Sequence, residues 1–171
     1  MEQRDFAETV LGVPLLTKLL YEKHSGEYWQ AFHELRIGTG YGKDAEQRLD
    51  FWAMACIPSE RFRRVVYEIK VSRADFLKEI KQPRKRARAL LFSNEFYFCA
   101  PAGLIRADEL PPECGLCEVV SSPRGLSLAV RHTAPWRDTM APSWQFLAAC
   151  IRRAQRREKG NDDGTANTQP R

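Results

Sequence analysis

Long apolar runs are missing from this 171-residue chain. No stretch approaches the roughly 18 apolar residues of a membrane-spanning helix, so no membrane partner is expected. The opening Met1-Glu2-Gln3-Arg4-Asp5 is not followed by the apolar core of a secretory leader. Histidine is scarce, and His24, His33 and His132 are scattered. They form no convincing Ser/His/Asp or Cys/His arrangement. The five cysteines are an odd number, and Cys56, Cys99 and Cys150 lie in apolar contexts. Reduced thiols and a cytoplasmic location are the expectation. Cys114-Gly115-Leu116-Cys117 has zinc-ligand spacing, but no second pair completes four ligands. His132 and Cys99 could complete such a site only by coincidence of folding. No internal repeat is visible.

A strong excess of one charge is absent too. The net charge is +5, and residues 152–171 carry a surplus of +3. The remainder of the chain is therefore close to neutral, and overall charge is weak evidence for a nucleic-acid partner. With 43% hydrophobic and 29% charged residues, the chain suits one soluble domain with a substantial core. That domain is expected over residues 1–158, with a polar, disordered tail over 159–171.

Apolar periodicity predicts a helix over Phe6–Lys23, kinked or broken at Pro14. A strand is expected within Tyr28–Ile37, then a turn-rich loop over Gly38–Asp44. Arg48–Ala55 and Arg64–Val71 are apolar on both faces, as central strands covered on each side would be. The short Cys56–Arg61 connection suits an antiparallel pair. Ser72 reads as an N-cap, with Asp75 three residues on, for a helix over Arg73–Lys81. Pro83 restarts a second helix. Phe96–Ala100 reads as a buried strand, Leu116–Ser121 and Leu126–Val130 as a hairpin or as a strand followed by a looser edge, and Ser143–Arg157 as a final helix. The order is α-β-β-β-α-β with additions, an α/β fold with a mixed sheet flanked by helices.

Within the two central strands stand Asp50 and Glu68-Ile69-Lys70. Charges are costly to bury unless paired. Glu68 and Lys70, two residues apart on a strand, share a face. Carboxylates on neighbouring strands can hold a hard cation such as Mg²⁺ with its waters, and a lysine beside them can orient the attacking water or stabilise developing charge. The Ile69 carbonyl could add a ligand oxygen, and Glu34, one strand earlier, is a candidate further carboxylate. The bland alternative is a solvated face of an edge strand. Val66, Trp52 and Met54 share those faces and argue for burial. For Glu34, a strand-end carboxylate without function is an equal alternative.

This layout resembles the PD-(D/E)XK, or restriction endonuclease-like, nuclease superfamily, whose αβββαβ core carries an acid on the second strand and acid-x-Lys on the third. Leu49 stands where the motif's proline would, a position that varies within the superfamily. The sequence is more similar still to the bacterial MmcB family of DNA-repair nucleases. The matching words are Glu68-Ile69-Lys70-Val71-Ser72-Arg73-Ala74-Asp75-Phe76, Phe96-Tyr97-Phe98-Cys99-Ala100-Pro101 and Gly115-Leu116. The resemblance spans roughly Glu34 to Val120. It implies a metal-dependent nuclease acting on DNA, in repair or in phage and mobile-element DNA processing. Asp50, Glu68 and Lys70 would be catalytic, with Mg²⁺ or Mn²⁺ on Asp50, Glu68, the Ile69 carbonyl and Glu34. Many relatives of this fold work as dimers, so a homodimer is a further expectation.

Lys78, Lys81, Arg84, Lys85, Arg86 and Arg88 crowd eleven residues opposed only by Glu79. One reading is phosphate contact without sequence readout; the other is a solvated helical face. A binding module that kept the fold without catalysis would use the same residues, and a purely structural partner would bind neither metal nor nucleic acid. The Gly38–Lys43 loop is not a phosphate loop of the Walker type. Ile37 replaces its first glycine, and Asp44 follows the lysine where Ser or Thr is needed.

Overall fold

A computed structural model describes residues 11–37 and 47–162, with side chains through Arg157. The expected Gly38–Asp44 loop, the start of the first helix and residues 163–171 lie outside the described residues. Six strands form one sheet in chain order: β1 (Trp29–Arg36), β2 (Arg48–Ala55), β3 (Arg64–Ile69), β4 (Glu95–Pro101), β5 (Gly115–Ser122) and β6 (Gly125–His132). The pairs β1–β2, β2–β3 and β5–β6 are antiparallel, and β3–β4 and β4–β5 are parallel. The fold is thus α/β with a mixed sheet.

Helix α1 (Val13–Lys23) covers one face. Its Leu16, Leu19 and Leu20 pack on Phe51, Val65, Tyr67 and Tyr97. Pro14 falls in its first turn after the Gly12 cap, where a missing amide hydrogen costs nothing. The proline therefore marks the helix start rather than a kink. Helices α2 (Arg73–Ile80), α3 (Pro83–Leu90) and α4 (Trp144–Asp162) cover the opposite face. There Phe76, Ala89 and Phe146 meet Trp52, Val66, Phe96 and Phe98. Ser72 caps α2 as expected, its hydroxyl accepting the Asp75 N–H at 3.2 Å. Pro83 starts α3 in the same way that Pro14 starts α1.

Helix α4 continues to Asp162, past the expected end at Arg157, so residues 159–162 are helical. Its arginines serve the fold. Arg157 and Arg153 donate to the Ala31 and His33 carbonyls at 3.3 and 3.1 Å, on the edge strand β1. Covering an edge in this way removes acceptors from a template for foreign strands. Among the described residues, no helix is long and apolar enough to cross a membrane.

Candidate active site

The side-chain alternation of β3 places Val66, Glu68 and Lys70 toward α2 and α3, and Tyr67 and Ile69 toward α1. Glu68 and Lys70 are therefore buried in a helix-covered face, at 4% and 3% exposure. This is not a solvated edge. The β2–β3 ladder ends at Phe51↔Tyr67, so by count Asp50 opposes Glu68 one step beyond. Where the strands part, Asp50 Oδ2 accepts the Ile69 N–H at 3.0 Å, replacing the lost ladder bond. The Lys70 N–H turns the other way, to the Cys99 carbonyl on β4 at 2.9 Å. A strand residue's carbonyl points to the same side as its own N–H, so the Ile69 carbonyl faces the Asp50 gap.

Lys70 Nζ donates to Glu68 Oε1 at 3.0 Å and lies 3.4 Å from Asp75 Oδ2 and 3.6 Å from Glu79 Oε2. Lys85 Nζ, from the first turn of α3, donates to the same Glu68 oxygen at 2.6 Å and to Glu79 Oε2 at 3.2 Å. Glu79 is itself buried, and its Oε1 has no hydrogen-bond partner among the described residues. Two ammonium groups thus face four carboxylates, Asp50, Glu68, Asp75 and Glu79. Asp75 is half exposed, so the enclosed part sets three carboxylates against two ammonium groups and keeps a formal surplus of one negative charge.

The electrostatics follow. Burial first, and the Glu68 carboxylate second, push Asp50 up to about 6, against the pull of the Ile69 amide and both lysines. Burial works against the charge on Lys70 and on Lys85, but Glu68 and Glu79 outweigh it and hold both ammonium groups above their ordinary value.

The expected residues divide into three groups. Asp50, Glu68, Lys70 and the Ile69 backbone come together. Glu34 stands opposite Asp50 by strand count, at φ 50°, but its carboxylate is exposed and bound by Arg48 at 3.0 Å. In the basic stretch, Lys78, Lys81 and Arg84 are exposed. Lys85 instead belongs to the cluster, and Arg86 is buried, donating to Glu113 at 2.8 Å. Arg86 is a correction, since its charge is used internally and is not displayed; Lys85 is paired within the cluster but keeps 38% of its side chain exposed. Arg88 is partly buried. Asp75 and Glu79, read from the sequence as a cap residue and a lone opposing charge, are cluster members. Their spacing of four within α2 is the signal that pointed there, since it puts both on one helical face.

Cys114 and Cys117 lie on opposite faces of the sheet and cannot share an ion; Cys117 stands directly across from Cys99 on β4.

The donors present fit a hard divalent cation in kind. Mg²⁺ needs one or two carboxylates and keeps its remaining waters. Asp50 and Glu68 supply two, and the unpartnered Glu79 oxygen belongs to a cluster short of positive charge. Among the described residues, however, no group of three or more His, Cys, Asp or Glu side chains is arranged to hold a metal ion. The fit is to a two-carboxylate site, not to a closed cage.

No family model matches the chain, and no curated protein matches it. Among solved structures it is similar to the SPO1766 protein of unknown function from Silicibacter pomeroyi, at 19% identity and a TM-score of 0.61, covering 90% of this chain and 92% of that one. The likeness establishes a shared fold.

Proposed function

We propose that the protein is a metal-dependent nuclease of the PD-(D/E)XK type that hydrolyses phosphodiester bonds in DNA. The observation that carries the reading is that Asp50 stands opposite Glu68 where β2 and β3 part, held there by the Ile69 N–H at 3.0 Å, with the Lys70 ammonium 3.0 Å from Glu68. Mg²⁺ or Mn²⁺ on the two carboxylates would supply charge stabilisation at a phosphate oxygen and a more acidic water. Asp50 is held for this task by the Ile69 amide, which fixes Oδ2 and leaves Oδ1 for a ligand. Lys70 is positioned by Glu68, Asp75 and Glu79 and stays charged, so it stabilises developing negative charge rather than abstracting a proton. Lys78, Lys81 and Arg84 offer exposed positive charge on α2 and beside it, suited to backbone phosphates.

The test is incubation of the wild type and Lys70→Gln with labelled single-stranded, duplex and branched DNA in Mg²⁺, Mn²⁺ or EDTA. Metal-dependent cutting that drops about 10²–10⁴-fold in the variant supports the reading. A second reading, a nucleic-acid-binding module without catalysis, draws on the absence of a three-ligand group among the described residues. Salt-sensitive binding without cutting in any metal selects it.

A further inference from the structure

The Lys85 ammonium lies between two buried carboxylate oxygens, Glu68 Oε1 and Glu79 Oε2, at 2.6 and 3.2 Å. It also feels Asp50 electrostatically. A cation bound to Glu68 would meet the same oxygen and the same negative surplus. Lys70 Nζ already lies 3.0 Å from that oxygen, so a divalent cation there would add to two ammonium groups in a poorly solvated site and be strongly repelled unless one of them leaves. Lys70 is not the group that leaves, because its side chain is buried at 4% exposure and anchored by three carboxylates. Lys85 differs in freedom. Its side chain is 38% exposed, its stem has several rotatable bonds, and its backbone stays fixed while the ammonium swings. Gln47 donates to the Lys85 carbonyl at 2.9 Å, and the neighbouring Arg86 pins α3 to Glu113. Lys81 and Arg84, close to it in the chain, are exposed, so positive charge that would attract a phosphate backbone stands near Lys85.

Resting on the nuclease reading, we propose that Lys85 is a built-in counterion that occupies the cation position at Glu68 and must leave it before a divalent metal binds. The protein alone then binds metal weakly. A phosphate backbone that draws Lys85 away couples metal loading to the presence of substrate. The side chain thereby guards against metal binding, and hence hydrolytic competence, in the empty protein.

The test is a titration of the full chain with Mn²⁺, following free Mn²⁺ by electron paramagnetic resonance, in wild type, Lys85→Gln, Lys85→Met and Asp50→Asn. Lys85→Met keeps the apolar stem, and thermal melting in EDTA establishes which variants are folded. The expected result is Mn²⁺ binding about tenfold tighter or more in the neutral Lys85 variants, and weakened in Asp50→Asn. Equal or weaker binding in both neutral variants, with wild-type binding still dependent on Asp50, overturns the role of Lys85 and leaves the metal site standing. No binding in any of the proteins overturns both.

Discussion

Tyr67 and Glu68 are neighbours on β3 and face opposite sides of one sheet, and the two sides bury polar groups by different means. Under α1, Tyr67 lies against His24, whose Nε2 is 3.0 Å from the Tyr67 hydroxyl. Phe51 and Tyr97 rings surround the pair. Both groups are neutral there: burial first, then Lys23 and Arg63, lowers His24 to about 4, and burial raises Tyr67 well above its usual value. Under α2 and α3, Glu68 lies among two ammonium groups and three further carboxylates. The neutral pair is joined by one hydrogen bond and leaves only the His24 Nδ1 without a partner among the described residues. A charged cluster needs full compensation, and this one remains short of positive charge. The first arrangement serves stability; the second works against it, as a site kept for chemistry does.

The contrast can be broken most forcefully at Lys70. Lys70→Ala leaves the buried Glu68 and Glu79 sharing one ammonium, that of Lys85. The expected loss is about 3–5 kcal/mol, measured by urea unfolding at pH 7. On the other face, His24 gives the sign of the acid response. Its folded pKa of about 4 lies below the ordinary 6.5, so the unfolded chain binds the extra proton. Stability attributable to His24 is complete above about pH 6.5 and is lost as pH falls toward 4, by about 3 kcal/mol in total. His24→Gln should flatten that limb in a series of unfolding curves from pH 7 to 4.

Asp50 has the opposite sign. Its folded pKa of about 6 exceeds the ordinary 3.8, so the native state holds the proton more tightly than the unfolded chain. The stabilisation is present below about pH 3.8 and lost as pH rises through 6, leaving a cost of about 3 kcal/mol at neutrality. Asp50→Asn retains an oxygen for the Ile69 N–H and removes the charge, so it should raise stability at pH 7 by a comparable amount, read as a higher urea midpoint with unchanged slope. The smallest effect is at the surface. Arg84→Ala should leave stability within about 0.5 kcal/mol and reduce the salt slope of DNA binding by about 1.

Much of this was legible before any coordinates. Unbroken apolar stretches marked β2, β3 and β4 as central strands, and charges inside them could only be a paired cluster or an error of assignment. Ser72 and Pro83 fixed the helix starts because caps and first-turn prolines are local signals. The membership of Asp75, Glu79 and Lys85 was less legible. It depends on how α2 and α3 pack on β3, and only the spacing of four between the two acids hinted at it. The burial of Arg86 was not legible at all, since its partner Glu113 is 27 residues away in the chain and joined to it only by the fold. The same holds for Arg153 and Arg157 of α4, whose partners on the β1 edge lie more than 100 residues earlier in the chain.

The most direct test of the charged face is cleavage of labelled DNA in Mn²⁺ by wild type and Asp50→Asn, with the variant first shown to be folded. A wild type that cuts, and a variant at least as stable that cuts about 10²-fold more slowly or less, is the predicted result. Equal cutting by the two proteins, or none by either on single-stranded, duplex and branched DNA, would contradict the assignment of this cluster as a hydrolytic site.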